Sequence, residues 1–193
     1  SLLFIHPRSS RENSEEFYRN ARHGEFWVGR RMTLEETEFA YDIKVRHIDS
    51  LDDFLASTKD SLTVRGEDEY VDDRVKESTE DATFLSWLSE ARLVKDEFEI
   101  NEMQKAIDAT HRGFEDMIRA LPGAKGKSRG ERLIEGAFFT RARYEGNDLG
   151  YDSIVAAGSH ACVLHWIRND GELRDGELVL IDAGVEAESL FTA

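Results

Sequence analysis

Two side chains in the last part of the chain have the type and setting to do chemistry, Asp182 and His165. Asp182 sits near the end of Asp175-Gly176-Glu177-Leu178-Val179-Leu180-Ile181-Asp182-Ala183-Gly184. Within it, Leu178 to Ile181 is an apolar run bounded by the Asp175-Gly176 turn and by Gly184, the pattern of a fully buried strand. Asp182 is therefore expected where water is scarce. A lone carboxylate there costs several kcal/mol unless a cation, a proton or a set of hydrogen-bond donors meets it. A bound metal is the sharpest of these options; the competing reading is a turn aspartate accepting backbone N–H groups at the Ala183-Gly184 corner. The residues alone leave both open.

His165 follows Cys162-Val163-Leu164 and precedes Trp166. Between two large apolar neighbours, a histidine is more commonly a packed, hydrogen-bonded core residue than a catalytic one. His160, in Gly158-Ser159-His160-Ala161, is assigned no role. Trp27, Trp87 and Trp166 read as packing. Gly29-Arg30-Arg31 and Lys125-Gly126-Lys127 read as solvated turns.

These candidates need elements to position them. Gly150 to Gly158, Cys162 to His165 and Asp175 to Gly184 are expected to be short buried strands that bring the histidine and the aspartate to one place. Ahead of them, one long amphipathic helix is expected from a capping box at Asp96 and Glu99 to Pro122-Gly123. Ile100, Met103, Ile107, Phe114, Met117, Ile118 and Leu121 form its core stripe. Ser128 with Glu131 is expected to cap a second helix ending near Gly146.

Before about Glu90 short strands and helices alternate, an α/β layer pattern. Strands are expected at Leu2–His6, Phe26–Val28, Val45–Ile48 and Leu62–Val64. Helices are expected at Ser14–Ala21, Leu34–Tyr41 behind a Thr33/Glu36 capping box, Leu51–Ala56 behind a Ser50/Asp53 one, and from Phe84. The charged stretch Arg65–Asp81 reads as a loop or solvated helix. The change of pattern divides the chain into residues 1–90 and 91–193.

Ile154-Val155-Ala156-Ala157-Gly158, Leu164-His165-Trp166 and Asp175 to Gly184 together resemble the first half of a pita-bread metallopeptidase of the bacterial Xaa-Pro aminopeptidase (aminopeptidase P) family. The likeness extends to Ala91-Arg92-Leu93-Val94-Lys95 and, more loosely, to Phe26-Trp27-Val28-Gly29-Arg30-Arg31. It implies that residues 1–90 are part of a creatinase-like α/β domain and residues 91–193 the first part of an α+β pita-bread catalytic domain. It also implies that Asp182 is one ligand of a pair of divalent metal ions, typically manganese, and that His165 is the catalytic histidine that reaches the substrate beside them. Imidazole suits that place, because it can donate a hydrogen bond to a developing oxyanion or leaving nitrogen near neutral pH. The implied reaction is hydrolysis of the N-terminal bond of peptides with proline second, by a protein that forms a dimer or tetramer. A dipeptide-specific prolidase, a metal-free creatinase-like hydrolase and a non-catalytic peptide-binding module are the alternatives.

Composition is compatible with this. A net charge of −15 over 193 residues repels phosphate backbones, so nucleic acid is an unsuitable partner and a soluble cytoplasmic protein is expected. No segment is apolar enough to suggest a membrane span. The single cysteine, Cys162, excludes an internal disulfide and points weakly to a reducing compartment. No phosphate-cradling glycine loop, Gly-x-Ser-x-Gly elbow or His-Glu-x-x-His pair is present. Because the chain opens inside an apolar run and closes on Leu190-Phe191-Thr192-Ala193, it is expected to be an internal, inactive piece of a longer enzyme, with the remaining metal ligands beyond Ala193.

Overall fold

The computed structural model describes residues 1–8, 14–58, 61–187 and 191–192. They form two compact units, Ser1–Arg92 and Leu93–Ala193. In the first, β1 (Leu2–Ile5) and β2 (Lys44–His47) pair in parallel, Leu2 opposite Lys44 and Ile5 opposite His47. A parallel pair needs a crossover, and α1 (Ser14–Arg19), α2 (Glu25–Val28) and α3 (Leu34–Tyr41) lie along it. The Thr33/Glu36 capping box that starts α3 is formed in both directions. The unit continues with α4 (Leu51–Ser57), α5 (Glu69–Asp72) and α6 (Asp81–Leu93).

Three local expectations fail here. Phe26–Val28 is one helical turn, with the Trp27 and Val28 amides donating to Gly24 O and the Trp27 indole to Tyr18 O. Leu62–Val64 is no strand, since the Thr63 amide donates to the Asp81 carboxylate at 3.0 Å. The Ser50/Asp53 box does not form, because the Ser50 hydroxyl donates back to His47 O. The charged stretch 65–81 is tied down by Arg65, which donates to Asp81 and to the carbonyls of Asp72, Val75 and Lys76.

The second unit is built on two helices, α7 (Glu97–Ala124) and α8 (Gly130–Glu145), followed by β3 (Asp148–Leu149), β4 (Ile154–Ala157), β5 (Val179–Asp182) and β6 (Val185–Glu186). The Asp96/Glu99 capping box opens α7. β4 pairs antiparallel with β5, Ile154 opposite Asp182 and Ala157 opposite Val179. β3 pairs antiparallel with β6. The core lies between helices and strands, and includes Met117, Ile134, Phe138, Val155 and Val185, all fully buried.

The stripe expected on α7 holds in part: Met117 is buried, and Phe114 and Leu121 pack against the core. Ile100, Ile107 and Ile118 are exposed, whereas Ala106, Ala109 and Gly113, which lay outside the expected stripe, are buried. Close approach of α8 contributes to this: a Cβ on Gly113 would lie 2.5 Å from Phe138 Cε2, so at that point of the face there is no room for a side chain. Arg141 on α8 ties the helices from outside through Asp116 on α7 at 2.7 Å. That guanidinium holds the Asp116 carboxyl below its ordinary pKa.

Two strand expectations are also corrected. Cys162–His165 leaves a 3-10 turn spanning Gly158–Cys162 and continues as a turn, with Leu164 largely exposed. The segment Leu178–Ile181 is half-buried and not fully buried: Val179 and Ile181 pack on the core, while Leu178 is 84% and Leu180 39% exposed. Side chains alternate faces along a strand, and only one face of β5 meets the core. Leu190 and Ala193 of the final apolar run lie outside the described residues; Thr192 forms a single bridge to Glu186.

Candidate functional site

Asp182 closes β5 on the same face as Leu178 and Leu180, and its side chain is exposed. The expected water-poor setting is therefore corrected: along these residues the carboxylate is open to solvent on the uncovered face of the β4–β5 pair. One neighbour meets it. The Tyr151 hydroxyl faces Asp182, and burial first, then the hydrogen bond and charge of that carboxylate, push the phenol up to about 12. Among the described residues no group of three or more His, Cys, Asp or Glu side chains converges on one point. One carboxylate does not by itself hold an ion that takes several oxygen ligands.

His165 is exposed in the turn after the 3-10 segment and has no hydrogen-bond partner among the described residues. It is thus not the packed core histidine that its neighbours suggested. The residues flanking it are firmly held, however, and by a side chain that sequence reasoning placed elsewhere.

That side chain is Glu131, fully buried at the start of α8. Its Oε1 accepts from the Ala157 amide at 2.8 Å and from His160 Nδ1 at 2.8 Å. Its Oε2 accepts from the Trp166 indole at 2.9 Å and from the Gly171 amide at 2.7 Å. The His160 and Trp166 rings stack with centroids 3.9 Å apart. Burial works to raise the Glu131 pKa, but the donors from Ala157, His160, Trp166 and Gly171 outweigh it and leave the carboxyl below its ordinary value. The Ser128/Glu131 capping box is consequently absent: α8 starts without a side-chain cap, because the glutamate is spent on more distant donors. Gly171 is needed for the approach, since a Cβ there would lie 2.6 Å from both Glu131 Oε1 and the His160 ring.

Asn169 completes the arrangement. Fully buried, it accepts from the Val155 amide at 2.9 Å and donates to Ser153 O at 2.8 Å. Residues Val155 and Ala157 on the edge of β4 away from β5 thereby find partners in Asn169 and Glu131 where a further strand would otherwise stand. Asn169 holds a left-handed backbone, φ 45°, which Asn tolerates better than most residues. Asn169-Asp170-Gly171 was legible as a turn signal. Nothing in the sequence announced the Glu131 cage, whose donors lie 26 to 40 residues away along the chain.

A separate cleft of about 320 Å³ is lined by α7 residues including Glu102, Lys105 and Arg112, with Glu145, Val185 and Ala187. Its lining includes neither Asp182 nor His165, and Arg112 and Glu145 pair with each other.

Residues 101–192, nearly all of the second unit, match the model of metallopeptidase family M24. Along all of its length the chain is 49% identical, over 197 aligned residues, to Xaa-Pro aminopeptidase 1 of Streptomyces coelicolor. It is 45% identical over 97% of its length to Xaa-Pro aminopeptidase 2 of the same organism. The chain spans only 39% and 40% of the lengths of these two relatives. Among solved structures, proline aminopeptidase P II from Yersinia pestis superposes with a TM-score of 0.72 at 24% identity, covering 96% of this chain and 44% of that one. The fold is therefore that of part of an aminopeptidase P, a pita-bread M24 architecture.

Proposed function

We propose that the protein containing this chain is a metal-dependent exopeptidase that hydrolyses the N-terminal Xaa-Pro bond of peptides. The observation that carries this reading is the 49% identity to an Xaa-Pro aminopeptidase along the whole chain. Asp182 is the metal ligand this chain contributes, offered from the exposed face of β5 with Tyr151 against it. His165, exposed and without a hydrogen-bond partner among the described residues, is the group that reaches the substrate and donates a hydrogen bond to oxygen or nitrogen as the peptide bond breaks. Two divalent ions, in our reading manganese, suit a hard carboxylate donor; when bound, such ions lower the pKa of water and polarise a carbonyl. Residues 1–90 are part of a creatinase-like domain and 91–193 the opening part of the catalytic domain. The proline requirement accords with a nitrogen that carries no N–H. A cytoplasmic dimer or tetramer is the assembly this reading expects.

The test is release of the first residue from an Xaa-Pro-Xaa peptide, an Xaa-Ala-Xaa peptide and an Xaa-Pro dipeptide, with manganese and with a chelator. Proline-dependent cleavage of the tripeptide, lost on chelation, is expected. Cleavage that ignores proline or survives chelation overturns the proposal, and cleavage confined to the dipeptide replaces it with a prolidase.

A further inference from the structure

We infer that Glu131 is a positioning residue for His165: its buried carboxylate fastens both sides of the segment that presents the histidine, while touching no substrate itself. This rests on the reading of His165 as the substrate-facing group.

The segment from Ala157 to Gly171 leaves the end of β4 and makes a 3-10 turn. It then passes through His165 and returns past Asn169 along the same edge of the strand. A loop of this length has many conformations, and holding one side chain in place needs anchors on either side of it. Oε1 of Glu131 supplies them before His165, to the Ala157 amide and His160 Nδ1. Oε2 supplies them after it, to the Trp166 indole and the Gly171 amide. Glu131 and Gly171 are further joined by the Glu131 amide donating to Gly171 O at 3.2 Å. The stack of His160 on Trp166 closes the bracket, joining a residue on each side of the histidine. Each carboxylate oxygen has two donors, so the cage is complete and calls for no further ligand. The residue inside the bracket, His165, has no hydrogen bond of its own among the described residues.

Glutamine at position 131 keeps the size but carries an amide nitrogen that cannot accept, so two of the four donors lose their partner. The experiment is a double-mutant cycle in the protein containing this chain, with Glu131→Gln, His165→Ala and the pair, reading kcat and KM on an Xaa-Pro tripeptide. The expected result is a fall in kcat of about 10- to 100-fold for Glu131→Gln with KM changed much less, the scale of a catalytic group displaced by about an ångström. In the His165→Ala background the same substitution then adds little. A second readout needs no activity: in the metal-free protein the His165 ring shows one set of 1H–15N signals, which doubles or broadens in Glu131→Gln. Equal losses in both backgrounds, or an unchanged kcat and unchanged ring signals, overturn the inference and leave the proposed function standing. If His165→Ala itself retains full kcat, the reading of His165 falls and the inference falls with it. Should Glu131→Gln fail to fold, Trp166→Phe, which deletes one donor and keeps an aromatic ring against His160, decides by the same cycle.

Discussion

Gly113 on α7 lies directly against the ring of Phe138 on α8, so close that a Cβ would sit 2.5 Å from one ring carbon and 2.6 Å from the next. Phe138 is fully buried and has nowhere to turn. Replacing glycine by alanine inside a helix ordinarily gains about 1 kcal/mol. Here the overpacking penalty of about 1–3 kcal/mol wins. Gly113→Ala is expected to lower the denaturant midpoint of unfolding, and a raised midpoint would show that the helices can part without loss.

Asn169 stands in for a strand beside β4, and removing its side chain strands the Val155 amide and the Ser153 carbonyl. Each unsatisfied buried group costs about 1–3 kcal/mol. Asn169→Ala is expected to destabilise by about 3 kcal/mol in urea unfolding. Asn169→Gly loses the same bonds but suits the left-handed backbone, and should be less damaging by about 1 kcal/mol. Equal values for the two variants would remove the backbone contribution from this account.

Glu131 also sets an acid limit. Its folded pKa lies below the ordinary 4.5, so the native state holds the ionised form more strongly than the unfolded chain does. The stabilisation is complete above the unfolded value and is lost as the pH falls through the lowered folded one. Wild type should therefore exceed Glu131→Gln in melting temperature by most at neutral pH, and the gap should narrow steadily as the pH drops below 4.5. A gap that is constant across this range, or that widens in acid, contradicts the ionised cage.

How much of this was legible in the sequence depended on how local the cause was. The capping boxes at Thr33/Glu36 and Asp96/Glu99 formed as read, because donor and acceptor lie three residues apart and the backbone alone brings them together. β4 and β5 were visible as apolar runs between turn residues, and the motifs ending in Asp182 carried the family. What failed was set by distant partners. Ser128/Glu131 had the same spacing as a true capping box, yet Glu131 is taken by donors as far off as Gly171. The buried face of α7 is shaped in part by the proximity of Phe138, which leaves no room for a side chain at Gly113, and the isoleucines that hydrophobicity picked out are exposed. Exposure of Leu178, Leu180 and Asp182 depends on what covers the second face of β5, which the run of apolar residues does not state.

The central claim, that Asp182 is a ligand for a catalytic divalent ion, is tested most directly by calorimetric titration of manganese into the protein containing this chain and into its Asp182→Ala variant, alongside cleavage of an Xaa-Pro tripeptide. Loss of tight binding together with loss of cleavage, in a variant that still unfolds cooperatively at the wild-type temperature, is the predicted result. Undiminished binding and cleavage in the variant would contradict it.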